Sequence, residues 1–110
     1  MSDEKLDYSH LRWAKDFEEL DRQIGEMAMM CQVPILDPGV IERVLKNDKL
    51  VCGTENPKAF DKLRSLLMLH YQMRDMAVVK FGQEDTIRIM EEIIKRLRAR
   101  FGDSLGRPAA

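Results

Sequence analysis

Along the first third of the chain, Leu6, His10, Trp13, Phe17, Leu20, Ile24, Met27 and Cys31 recur at alternating steps of four and three residues. That spacing lays them down one side of an α-helix, as the seam of a helix packed nearly parallel or antiparallel to its neighbours. The far side is charged, with Lys15 and Glu19, and Glu18 and Arg22, four apart, where side chains pair on a helix surface. Val33 before Pro34 ends the run, because the residue preceding a proline is pushed out of the α region. A short second helix is expected next, with Asp37 as cap, Pro38 in the first helical position, Ile41, Val44 and Leu45 on one face, and Asn47 and Asp48 as its exit. "KLVCGTE" then reads as a connector with a brief extended piece at Leu50, Val51 and Cys52.

The third helix repeats the same grammar. Asn56 caps it, Pro57 takes the first position, and it runs to Lys80 with Gly82 as a left-handed stop. Its apolar positions, among them Phe60, Leu63, Leu66, Leu67, Leu69, Met73 and Met76, cover a wide arc, which makes it the central helix with contacts on more than one side. A fourth helix is expected over 84–101. Ile87, Met90, Ile94, Leu97 and Phe101 form its stripe, Ile89 and Ile93 widen it, and Gly102 stops it. No strand pattern of any length is present. The pattern predicts an all-α, elongated helical bundle of three long helices and one short one, a single domain over 1–102, with 103–110 as a disordered tail. The long stripes of the first and fourth helices exceed what one chain of this shape can cover, so association as a homodimer is expected.

Composition agrees with this picture and narrows the function classes. A chain of 110 residues with 34% charged residues and few glycines, prolines or aromatics favours helices over a β-sandwich. Two cysteines make no disulfide framework, and the acidic start lacks an apolar leader. The longest apolar run, "SLLMLHYQM", is too short to span a bilayer, so a cytoplasmic protein without a membrane span is expected. Charge is uneven: residues 1–26 carry eight acidic against four basic side chains, and residues 87–110 six basic against three acidic. The two ends would attract if their helices lay side by side, or across a dimer.

Several motifs could carry chemistry. In "GEMAMMCQVPILDPG", Met27, Met30 and Cys31 offer the thioether and thiolate ligands that select Cu(I), but Met27 and Cys31 fall where core residues should, and the prolines mark a structural corner. His70, in "LMLHYQM", sits on an apolar face and is a candidate ligand, metal or base residue, though such a histidine commonly packs in a core with its nitrogens bonded to a carbonyl or carboxylate. Neither histidine follows a Glu at the spacing that di-metal helical sites need, and the core stripes carry almost no carboxylates. Cys52 lies just before the third helix, where a helix N-terminus could lower a thiol pKa, and it could pair with Cys31 only if the fold brings the two together. The basic piece "KRLRARFG" leaves Arg98 and Arg100 without an intrahelical partner, and with Lys58 and Lys62 these are the candidate nucleic-acid contacts. The connector is too long for the turn of a helix-turn-helix motif. The order long, short, long is similar in outline to the all-helical chorismate mutases, but that fold needs arginines and a lysine projecting inward, where the first helix here carries Trp13, Phe17, Leu20, Ile24 and Met27.

The sequence thus points to a non-catalytic interaction or regulatory module without a cofactor, acting through protein contacts as a homodimer. Its expected partner surface is Met29, Met30, Ile35 and Leu36 at the corner, with Ile89 and Ile93 on the last helix. The alternatives are a nucleic-acid-binding regulator using the basic end, and a small ligand- or metal-binding protein or enzyme around His70, Cys31 and Cys52.

Overall fold

The seam of the first helix forms α1, Tyr8–Cys31, in a computed structural model that describes residues 8–105 and, among these, the side chains of residues 12–102 and of Leu105. The seam positions Leu6 and His10 therefore lie outside the described side chains. α2 (Val40–Leu45), α3 (Pro57–Phe81) and α4 (Gln83–Phe101) follow, with single 3₁₀ turns at Lys49–Val51 and Gly102–Leu105. No strand occurs among the described residues, and no described helix is long and apolar enough to cross a membrane.

Local chemistry accounts for most of the boundaries. α1 ends in paired bonds, Gln32 N–H to the Met29 carbonyl at 3.1 Å and Val33 N–H to the Ala28 carbonyl at 2.8 Å, with Gln32 left-handed at φ 53°. This six-residue closure satisfies carbonyls that a helix end leaves open, and it seats Val33 in the core beside Ala28. Asn56 caps α3 by accepting from the Ala59 N–H at 3.2 Å, with Pro57 in the first turn. α2 starts later than its sequence suggests. Pro38 lies in the preceding turn and Gly39, at φ 80°, occupies the cap position with no side-chain bond. Arg64 of α3 donates to the Leu45 carbonyl at 3.0 Å, closing the far end of α2. The connector makes a 3₁₀ turn at Lys49–Val51 with only Cys52 extended, because Asp48 accepts from the Leu50 N–H and curls the chain.

α1 and α3 pack antiparallel, Trp13 meeting Phe81 near one end and Asp21 meeting His70 near the middle. α4 returns alongside and runs parallel to α1, so that Arg96 reaches Glu18 at 2.8 Å and Arg100 lies 4.0 Å from Glu26. The acidic and basic ends of the sequence thus meet within one chain. The core runs through Phe17, Ile24, Ala28 and Cys31 of α1, Phe60, Leu63 and Leu67 of α3, and Ile89, Ile93 and Leu97 of α4. Where a disordered tail was expected over 103–110, the chain is ordered through residue 105, because Leu105 is buried and its carbonyl accepts from the Leu36 N–H at 2.6 Å; residues 106–110 lie outside the described residues. The principal extents are 48 × 24 × 22 Å.

Only Gly82 separates α3 from α4. Its φ of 95° and ψ of 155° lie in a region that is essentially closed to residues with a Cβ, and its carbonyl accepts from both the Thr86 N–H and the Thr86 hydroxyl. Gly82→Ala is therefore expected to destabilise the chain by about 1–3 kcal/mol, read as a lower urea midpoint with an unchanged m-value.

Candidate functional site

Asp21 is the one charged side chain among the described residues that the fold buries, at 6% exposure. A carboxylate taken out of water is costly unless a donor answers it. Here the donor is His70 of α3, whose Nδ1 lies 2.8 Å from Asp21 Oδ1. An ionised carboxylate only accepts, so the proton of the neutral ring sits on Nδ1 and Nε2 is left as an acceptor. The ring lies against Phe17 with centroids 4.7 Å apart, and Phe17 stacks on Trp13 at 4.8 Å. On the other side His70 meets Tyr71 edge-on at 5.2 Å, and the Arg74 guanidinium sits 4.5 Å above the Tyr71 ring. Aromatic packing thus locks the histidine's orientation from both helices.

Beside this pair lies a cavity of about 170 Å³ where every helix converges. α1 contributes Asp21, Ile24 and Gly25; α3 contributes Leu67, His70, Tyr71 and Arg74; α4 contributes Met90, Ile94 and Leu97; Ile35, Leu36, Ile41 and Leu105 complete it. Its walls are mostly apolar, and its few polar groups are Asp21 of α1 with His70, Tyr71 and Arg74 of α3, the usual composition of a small-molecule site. Gly25 is required beside it, because a Cβ there would stand 2.7 Å from the Phe101 ring. A second groove between α1 and α4 is open and lined by charges of both signs, including Lys15, Glu18, Arg88 and Arg96. Those charges largely answer one another, as in the pair of Arg96 with Glu18.

No protein-family model, curated protein or solved structure matches this chain. Its chemistry is read from its own residues.

The fold brings Cys31 and Cys52 close enough for each thiol to influence the other's ionisation. The Gly53 N–H donates to the Cys31 carbonyl at 3.0 Å, and the Thr54 hydroxyl donates to the Met30 carbonyl at 3.3 Å, pinning the connector to the end of α1. Burial, aided by neighbouring Cys52, pushes the Cys31 thiol up to about 11. Burial also raises Cys52, despite the neighbouring Cys31 and Lys49. Two neutral thiols pack and do not attack, so the activated Cys52 that the sequence allowed is not what this environment produces. Among the described residues no group of three or more His, Cys, Asp or Glu side chains is placed to hold a metal ion.

The expected partner surface divides. Met29 and Met30 are exposed at the end of α1 and Leu36 is half-buried, but Ile35, Ile89 and Ile93 lie in the core, where a partner cannot reach them without opening the fold. The α4 face that packs inward is Thr86, Ile89, Ile93 and Leu97, and it is Ile87 that points outward. Lys58 and Lys62 are exposed. Arg98 and Arg100 are not spare charges, since Arg98 has an interaction of its own and Arg100 lies near Glu26 and over the Phe101 ring. Sequence reasoning counted Asp21 only as one acidic residue. Its position four after Phe17 and three before Ile24 puts it on the core seam, and that spacing was the available signal.

Removing one partner of the buried pair leaves the other unanswered. His70→Ala is expected to cost about 3 kcal/mol, and Asp21→Leu combined with His70→Leu to cost less than the two single changes added together, in a urea-unfolding double-mutant cycle. The raised thiol carries its own expectation. Cys31 favours its protonated form in the folded chain, so its contribution is complete below pH 9 and is lost as the pH climbs to about 11. Ellman's reagent at pH 8 is expected to modify Cys31 only as fast as the chain opens, and rapidly after denaturation.

Proposed function

We propose that the chain is a non-catalytic helical interaction module that works as a homodimer, its two copies meeting along the outer face of α3. The observation that carries this reading is the second apolar face of that helix. Met68, Leu69, Met76 and Val79 fall with Ser65 and Gln72 within one arc of about 100°, on the side of α3 turned away from Phe60, Leu63 and Leu67. Met76 is 71% and Val79 89% exposed. Single exposed apolar residues need no account, but a row along three turns of one helix is the mark of an interaction surface. A second copy is the partner that needs nothing further. An antiparallel pair of α3 helices related by a two-fold axis would bury both stripes against each other, the isologous arrangement in which one patch completes its own copy.

This differs from the stripe that led the sequence to a dimer. Among the described side chains, the seam of α1 from Trp13 to Cys31 and that of α4 from Met90 to Phe101 are buried or half-buried within the chain, Ile87 alone of the α4 stripe being exposed, and the longer uncovered row belongs to α3. Exposed Met29 and Met30 at the end of α1 supply a second, smaller surface for a further protein partner. The basic end of α4 gives little support to nucleic-acid binding, because Arg96 and Arg100 face Glu18 and Glu26.

The test is the solution mass by size exclusion with light scattering. The wild-type chain is expected near twice 12.8 kDa. Met76→Glu with Val79→Glu, both at exposed positions, is expected to run as a monomer with unchanged helical circular dichroism. A wild-type monomer, or a dimer indifferent to these changes, would contradict the assignment.

A further inference from the structure

The cavity beside His70 is separate from the outer face of α3, and it has the size and chemistry of a ligand site. We propose that it binds a small carboxylic acid whose apolar body is one aromatic ring or a short branched chain. Size comes first. At about 170 Å³ the space slightly exceeds the cavity of about 150 Å³ that takes benzene in an engineered protein core. The body of the ligand would lie against Ile24, Leu67, Met90, Ile94 and Leu97, which offer it no polar atom.

The polar groups then choose the head group. Asp21 is committed to His70 Nδ1, so its charge is already answered. The hydrogen bond of the His70 ring to Asp21 is made through Nδ1. Arg74 borders the same cavity, and its acidic neighbour Asp75 is 3.6 Å away and exposed. A guanidinium with a loosely held counterion prefers a carboxylate, which it can bind through two parallel bonds. The ionisable groups that line the cavity around His70 are Asp21 from α1 and Tyr71 and Arg74 from α3; α4 contributes only Met90, Ile94 and Leu97. No second anion lines the cavity to repel the ligand. A carboxylate seated in this cavity would meet the Arg74 guanidinium at its rim.

The experiment is a methyl and backbone NMR titration of the wild-type chain with benzoate, with benzyl alcohol as its uncharged counterpart. Benzoate is expected to shift the signals of Leu67, Ile94 and Leu97 in a saturable way, and to bind more tightly than benzyl alcohol. Arg74→Gln, at a half-exposed position that leaves the core intact, is expected to weaken benzoate about tenfold or more and to leave benzyl alcohol unchanged. Ile94→Trp, which fills the cavity, is expected to abolish both. Unmoved cavity signals, equal affinity for the alcohol, or benzoate binding indifferent to Arg74→Gln would each overturn the proposal. None of these outcomes depends on whether the chain dimerises.

Discussion

A carboxylate set between two helices must find a donor there, and the way α1 meets α3 gives Asp21 the ring of His70. That hydrogen bond, 2.8 Å long, lies near the middle of the antiparallel contact, with Phe17 and Trp13 stacked on one side and Tyr71 on the other. Hydrophobic burial drives the two helices together but is tolerant of small shifts along their length. The buried pair is not tolerant. A slip of one turn toward the start of α3 would set the carboxylate against Leu66 or Leu67, with no donor to meet it. The pair thus marks the register of α1 against α3, and both its residues line the cavity.

α3 carries the consequences on both of its faces. Its inner face builds the core and supplies His70, Tyr71 and Arg74 to the cavity, while its outer face holds Met68, Leu69, Met76 and Val79 in water. The sequence read this helix as central because its apolar arc is too wide for one contact, and the reason for the width is now specific. One part of the arc is covered by α1 and α4, and the rest awaits a second copy in the reading advanced above. In the two proposals above, the outer face would meet a second copy of the chain and the inner cavity a small molecule.

Helix boundaries were legible where the chain uses short-range chemistry. Asn56 with Pro57 at the start of α3, and Gly82 and Gly102 at later ends, act through their own backbone preferences and place α3 and α4 to within a residue. α2 was misplaced at its start because Asp37–Pro38–Gly39 suits either a cap or a turn, and the left-handed Gly39 selects the turn. The α4 face was misread for a different reason. Its isoleucines and leucine support two overlapping stripes, and only contact with α1 chooses the one through Ile89 and Ile93. That stripe includes Thr86, a polar residue that fits in the core because its hydroxyl bonds to the Gly82 carbonyl. Asp21 was missed because a charge on an apolar seam was counted with the surface charges. The meeting of Cys31 and Cys52 depends on how the corner and connector fold back, which no local pattern encodes.

The measurement that reaches the centre of this account is the protonation pattern of the His70 ring, read from long-range ¹H–¹⁵N couplings in a labelled sample with the ring neutral. A carboxylate at Asp21 that accepts from Nδ1 requires the Nδ1–H tautomer, in contrast to the Nε2–H form that free histidine favours. A spectrum in which Nδ1 carries the proton, and which reverts on Asp21→Asn, is the result predicted here. An Nε2–H ring indifferent to residue 21 would mean that the helices meet in another register, and the cavity and the outward face of α3 would have to be drawn again.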